Sequence, residues 1–257
     1  PLDDQTLELR IEVFSARGMK AEAIEACREV ARAHLAACKG ASGGDKDGLV
    51  AKAEAALRRA IKLNRSETVA KVELARLYEK TGRVDQAAGL WIETALVRRA
   101  QGEIAAAGEA IGEALRLDPQ SREARQMQAE ALAAKGEVDN AVGLWKQLAA
   151  ELETGDELYK IVLSALELAP ADRELLGAAA SAALAIEGPE AAQTYFEHWL
   201  ASFESPPEDC AGALGAYREA VEHYPRSGPW RGRLAELLLA AGETEEAAGH
   251  LETLYEA

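Results

Sequence analysis

Residues 81–91 read TGRVDQAAGLW and residues 135–145 read KGEVDNAVGLW, so Gly82, Val84, Asp85, Ala87, Gly89, Leu90 and Trp91 each recur 54 positions later. Working outward from this doublet, the turn glycine also stands at Gly18, Gly188 and Gly242, which makes successive intervals of 64, 54, 52 and 54. Nine residues after the first three markers come Cys27, Trp91 and Trp145. Leu251 matches in the last copy, and Tyr195 stands two places early in the fourth. A buried side chain is expected at each. A second marker closes each unit, at Arg65, Pro119, Pro170 and Pro225. Five residues before it is an alanine (Ala60, Ala114, Ala165, Ala220), and three before that a larger residue (Leu57, Ile111, Val162, Tyr217). Apolar residues at i, i+3 and i+4 make one helix face, and a small one among them lets another helix approach. A third helix precedes each glycine, with Phe14, Tyr78, Leu132, Leu184 and Leu238 four residues upstream and Ile11, Ala75, Ala129, Ser181 and Ala235 seven upstream.

The chain has 257 residues, 48% of them hydrophobic and only 8 proline, enough to bury a large core in long helices. No run of about 18 uncharged apolar residues is present, and the opening PLDDQTLELR has neither the basic nor the apolar part of a secretory leader. A soluble, cytoplasmic protein is expected. Cys27, Cys38 and Cys210 have no metal-like spacing and read as reduced structural thiols. The formal charge of −15 argues against nucleic acid and anionic membrane surfaces, both of which attract clustered Lys and Arg.

The order of small residue, large residue, Gly, Ala, large residue, Ala and Pro resembles the tetratricopeptide repeat. Residues 88–121 fit it best, with Trp91, Ala95, Gly102, Ala107, Ile111, Ala114 and Pro119 in place and Arg98 where the family usually has Tyr. The family repeats every ~34 residues, whereas this chain repeats near 54, about one and a half hairpins. Each of the first four units therefore reads as three helices, the middle one closing the hairpin before it and opening the hairpin after it, and the last unit reads as a pair. The resemblance implies an all-α, right-handed solenoid of about fourteen helices in a single domain, with units near 3–65, 66–119, 120–170, 171–225 and 226–257. Trp91, Trp145, Gly82 and Gly136 are its structural markers. Leu251, Leu254 and Tyr255 near the end of the chain suggest that the native protein continues past Ala257.

Catalytic chemistry finds little support. His34, His198, His223 and His250 lack metal-like spacing, and no nucleophile, zinc or phosphate motif occurs. His198, between Phe196 and Trp199, reads as a packing or surface residue. GGDKDGLVAKAE (43–54) places Asp45, Asp47, Gly48, Val50 and Glu54 as in a calcium loop, but its first ligand position is Gly43. It reads as a mobile, metal-independent insertion in which Asp47 caps a helix starting near Leu49. No enzyme activity, cofactor or metal is expected.

A protein partner remains. The resemblance implies that first-helix positions line a groove, and in ELLGAAASAALAI (174–186) these are Ala178, Ala182 and Ala185. Such small side chains would let a peptide or amphipathic helix come close, with Tyr195 and Trp199 as aromatic anchors. The all-round apolar helix and the aromatics Tyr195, Phe196, Trp199, Phe203, Tyr217, Tyr224 and Trp230, at helical spacing, read more readily as core than as a binding surface. Pro206 and Pro207 would set the turn after the aromatic helix. Glu123 and Glu130 would favour a partner with basic flanks. The basic clamp with which some family members grip chaperone tails is not evident, since the matching positions hold Val69, Val72 and Arg76, then Glu123, Gln126 and Glu130. The expected function is a scaffold or adaptor, in composition bacterial, that binds a peptide or helix. The alternative is a self-associating structural protein.

Overall fold

The structure, a computed structural model, describes residues 4–153, 155–203 and 209–256. Among these residues are fourteen α-helices and no strand. They are α1 (Asp4–Ala16), α2 (Lys20–Ala37), α3 (Gly44–Leu63), α4 (Thr68–Lys80), α5 (Val84–Ala100), α6 (Ile104–Leu117) and α7 (Arg122–Ala134), followed by α8 (Val138–Ala150), α9 (Asp156–Leu168), α10 (Arg173–Ile186), α11 (Pro189–Ala201), α12 (Cys210–His223), α13 (Gly228–Ala241) and α14 (Thr244–Glu256). The all-α, fourteen-helix expectation holds. Contacts group the chain into two compact units, residues 1–128 and 129–257.

In the first unit α2 packs on both α1 and α3, and α5 on both α4 and α6, so the middle helix of each triplet serves two neighbours. Ile11, Cys27, Leu57, Leu74, Leu77 and Tyr78 form one buried cluster across α1 to α4. The small positions of the repeat are why the helices sit so close: Ala60 and Ala114 here, and Ala165 and Ala220 in the second unit, are all at 0% exposure. Trp91 is buried on α5, where its indole N–H donates to Glu79 at 3.0 Å.

The second unit passes its core from helix to helix as a series of overlapping clusters. Trp145, Leu148, Ile161, Val162 and Leu175 fill the first of these. Tyr159, Ala182, Phe196 and Ala220 fill the next, and Leu214, Leu234 and Leu238 the last. No single helix pair closes a core by itself, as expected of a repeat stack.

The recurring glycine has a specific structural task. Gly82 (φ +77°) and Gly136 (φ +80°) take the left-handed conformation that ends α4 and α7. The next residue then donates back over the turn, Arg83 N–H to the Tyr78 carbonyl at 2.9 Å and Glu137 N–H to the Leu132 carbonyl at 3.0 Å. The marker residue four places upstream of glycine is thus the acceptor of this bond. In the fourth copy the residue after Gly188 is Pro189, which has no N–H to give, and Gly188 N–H bonds the Ala183 carbonyl instead at 3.1 Å. The buried ring after that turn stands eight residues after the glycine, where Trp91 and Trp145 stand nine after theirs. It is Phe196, at 0% exposure, and not Tyr195, which is only half-buried. In the last copy Leu251 is exposed, and Leu254 is the residue that approaches α13, near Gly228 and Gly232.

The insertion before α3 also departs from expectation. Helix α3 begins at Gly44, so Asp45, Asp47 and Gly48 lie in or just beyond its first turn, and no side chain caps it. Only residues 38–43 stay outside α2 and α3. Glu54, the last position of the calcium-like pattern, instead accepts from Arg83 at 2.8 Å and from the Tyr78 hydroxyl at 2.9 Å. Burial would raise its pKa, but these bonds outweigh burial and hold the carboxyl below its ordinary value. Among the described residues no group of three metal-type side chains comes together. Pro206 and Pro207 lie outside the described residues.

Candidate functional site

The residues that the sequence singles out for partner binding fall largely inside the second unit. Ala182 is at 2% exposure and packs in the cluster with Tyr159 and Phe196, so a partner cannot reach its side chain while the fold is intact. This corrects the expectation of a groove centred on Ala178 and Ala182. The α10 sequence is apolar on every side because α9 and α11 both pack against it. Ala178 is half-buried against the preceding cluster, and Ala185 is exposed. Trp199 lies over Gly177, where an added Cβ would meet the indole at 2.7 Å. The glycine makes room for the ring.

Tyr195 likewise turns towards the protein. Its ring meets Tyr159 edge-on with centroids 6.3 Å apart, and the Tyr159 hydroxyl lies 3.4 Å from that of Tyr195 and 3.3 Å from Glu187. Burial, then the neighbouring Tyr195 and Glu187, pushes the Tyr159 hydroxyl pKa well up, so it stays protonated. Phe196, Tyr224 and Trp230 continue the chain of rings, the last two 5.2 Å apart. These aromatics are core first. His198 is exposed, as a surface histidine would be. Glu123 is exposed on α7, and Glu130 on the same helix is half-buried.

An accessible site lies elsewhere, in the first unit. A cleft of about 390 Å³ is lined by α2 (Ala31, Arg32, Leu35) and the residues just after it (Cys38, Lys39), by α3 (Lys46, Val50, Leu57) and by α4 (Glu73, Arg76, Leu77, Lys80, then Thr81). Helical periodicity builds two of its walls. Arg28, Arg32, Leu35 and Lys39 recur at i, i+4, i+7 and i+11 on α2 and its C-terminal extension, and Glu73, Leu77 and Lys80 at i, i+4 and i+7 on α4. Arg28 ties the walls together by reaching Glu73 at 3.1 Å, and Arg32 reaches the same carboxylate at 3.4 Å. Both arginines also hold Glu25, at 2.6 and 3.1 Å. Arg32 and Glu73 of this bridge line the cleft.

The lining thus combines an apolar part (Leu35, Val50, Leu57, Leu77) with five cations and one carboxylate, and that carboxylate is already engaged by two guanidinium groups. Among the described residues Lys39, Lys46, Arg76 and Lys80 make no ion pair, although Arg76 lies within electrostatic reach of Glu79. Sequence reasoning missed this site because its residues are spread over some fifty positions on three helices. It also read the stretch that carries Lys46 as a loop. The available signal was local: a cation-rich helix face inside an acidic chain.

Sequence profiles of the tetratricopeptide repeat match residues 46–102, 92–156 and 207–257. No curated protein matches the chain. Similar solved structures include BtubC (BKLC) from P. vanneervenii, 17% identical over 78% of this chain and 90% of that one with a TM-score of 0.36. MamA is 16% identical over 63% and 95% with a TM-score of 0.26. YrrB, a TPR protein with an unusual peptide-binding site, is 17% identical over 66% and 84%, also with a TM-score of 0.26.

Proposed function

Because the chain belongs to the tetratricopeptide repeat family, whose members generally act as non-catalytic protein-interaction scaffolds, we propose that it docks a peptide or helix of a partner protein in the α2–α3–α4 cleft. The observation that carries this reading is the cleft itself. Half-buried Leu35 and Val50 line an open depression instead of being sealed by a further helix. Covering them would remove apolar surface from water, worth roughly 25 cal/mol per Å² before association costs are met. A cytoplasmic site of action belongs to the same reading. Cys27, Cys38 and Cys210, none of them in a disulfide, suit a reducing compartment.

Self-association is the second reading, favoured by Leu239, Leu251 and Tyr255, which stand exposed on the last two helices. Selection from a displayed random-peptide library on the whole chain, repeated on Leu35→Asp, tests the first. Peptides that bind the wild type and lose the variant, with helicity unchanged, support docking in the cleft. If no peptide is selected, or if the selected ones bind Leu35→Asp equally, the cleft is not the docking site. Light scattering at high concentration tests the second reading, which a strictly monomeric chain would end.

A further inference from the structure

We infer that the segment received by this cleft is acidic, with an apolar residue entering between α2 and α4 and carboxylates meeting the rim of Lys39, Lys46, Arg76 and Lys80. The inference rests on the docking reading above and adds the chemistry of the partner. Across the whole chain Asp and Glu outnumber Lys and Arg by 44 to 29, yet the cleft lining reverses that balance.

Helix-end electrostatics explain only part of the reversal. Lys80 sits in the last turn of α4, and Lys39 just follows α2, where cations complement the helix dipole. Lys46 sits in the first turn of α3, the end at which a cation is disfavoured. Its neighbours Asp45 and Asp47 suit that helix end and do not line the cleft, whereas Lys46 does. Helix stability therefore does not account for Lys46, but an anion in the cleft does. Glu73 is neutralised by Arg28 and Arg32, so it does not oppose an incoming carboxylate.

A nucleic-acid strand would use the same cations but finds less to hold it. No Phe, Tyr, Trp or His lines the cleft, so bases have no ring on which to stack, and the total charge of −15 repels a polyphosphate approaching over a larger surface. A short acidic peptide places its charge only where the rim is.

The test uses three fluorescein-labelled twelve-residue peptides that share one central Leu-Phe pair and differ in flanks of Glu, Gln or Lys, with a single-stranded oligonucleotide as a fourth probe. Fluorescence anisotropy is read against the whole chain at low and high salt. The Glu peptide should bind at least ~10-fold tighter than the Gln peptide at low salt, converge on it at high salt and outbind the oligonucleotide. The exposed pair Lys39→Glu and Lys80→Glu should remove that advantage, and Lys46→Gln should reduce it severalfold, both with unchanged circular dichroism. The Glu peptide should also slow alkylation of Cys38, which lines the cleft, and leave exposed Cys210 unaffected. Equal or tighter binding of the Gln or Lys peptide, a preference for the oligonucleotide, or a Glu-peptide affinity indifferent to charge reversal each overturns the acidic assignment. Leu35-dependent binding of the Gln peptide as tight as that of the Glu peptide at low salt would leave docking intact while the acidic assignment fails. Absence of any Leu35-dependent peptide removes both.

Discussion

Trp91→Phe and Trp145→Phe should not cost the same, although the two tryptophans stand in nearly identical sequence contexts. Both are buried, at 5% and 2% exposure, so each variant loses a similar piece of ring from a packed interior, roughly 1–2 kcal/mol. Trp91 loses something more, the indole N–H that donates to Glu79 at 3.0 Å. The residue 54 places after Glu79 is Ala133, so the repeat does not reproduce that acceptor. A hydrogen bond to a charged group is worth about 1.5–3 kcal/mol when well buried. Glu79 is 23% exposed and keeps Arg116 at 2.7 Å, so its carboxylate is not orphaned, and the lower part of that range applies. Trp91→Phe should therefore be about 1.5 kcal/mol more destabilising than Trp145→Phe at neutral pH.

The pH dependence sharpens the test. Burial would raise the Glu79 pKa, but the bonds from Trp91 and Arg116 outweigh it and hold the carboxyl below its ordinary value. A depressed folded-state pKa contributes stability that is present above the unfolded value, about 4.3, and disappears as pH falls through the folded value. The gap between the two variants should accordingly close in acid. Urea midpoints by circular dichroism, with hydrogen exchange across α5 to localise the effect in an array that need not unfold in one step, measure it. Equal costs at pH 7, or a gap that survives full protonation of carboxylates, would refute the reasoning.

Gly177→Ala should destabilise the second unit by about 1–3 kcal/mol, since its Cβ would meet the Trp199 indole at 2.7 Å, and a shifted tryptophan emission should accompany the lower midpoint. Gly82→Ala has nothing within 4 Å of its Cβ and should cost only the ~1–2 kcal/mol of a left-handed backbone, read from its melting temperature. Ala182→Arg should collapse the second unit, because it forces an unpaired charge into a site at 2% exposure; native helicity in that variant would contradict the assignment of Ala182 to the core. Burial, only partly opposed by Arg59, pushes the Cys27 thiol up to about 11, so at pH 8 a maleimide should label exposed Cys210 and spare Cys27.

The repeat was readable because its markers are answers to backbone problems that recur unchanged. A helix that must stop and reverse needs a left-handed residue, and glycine supplies it at Gly82 and Gly136 with the same return bond. Two helices that must approach closely need a missing side chain, and Ala60, Ala114, Ala165 and Ala220 supply it. The reading failed where one copy departs from the others. Pro189 removes the donor after Gly188, and the buried aromatic becomes Phe196 in place of Tyr195. The glycines and aspartates of residues 43–48 carry loop composition, but packing of the rest of α3 against α2 and α4 draws helix through to Gly44.

The candidate site was harder to read for a reason that lies in the same repetition. A helix rich in alanine looks identical in sequence whether a partner or its own neighbours cover it, and α10 is covered by its neighbours, with Gly177 shaped to Trp199 and Ala182 sealed beside Phe196. What distinguishes the α2–α3–α4 cleft is not a repeated feature. Lys39 and Lys46 belong to the longer first unit, at or beside the segment that the later units lack, and they meet Arg76 and Lys80 only after three helices have packed. Periodicity reports what every unit shares, chiefly the core. A site confined to one copy must break the period, and the ten or so extra residues between α2 and the body of α3 are where this chain breaks it.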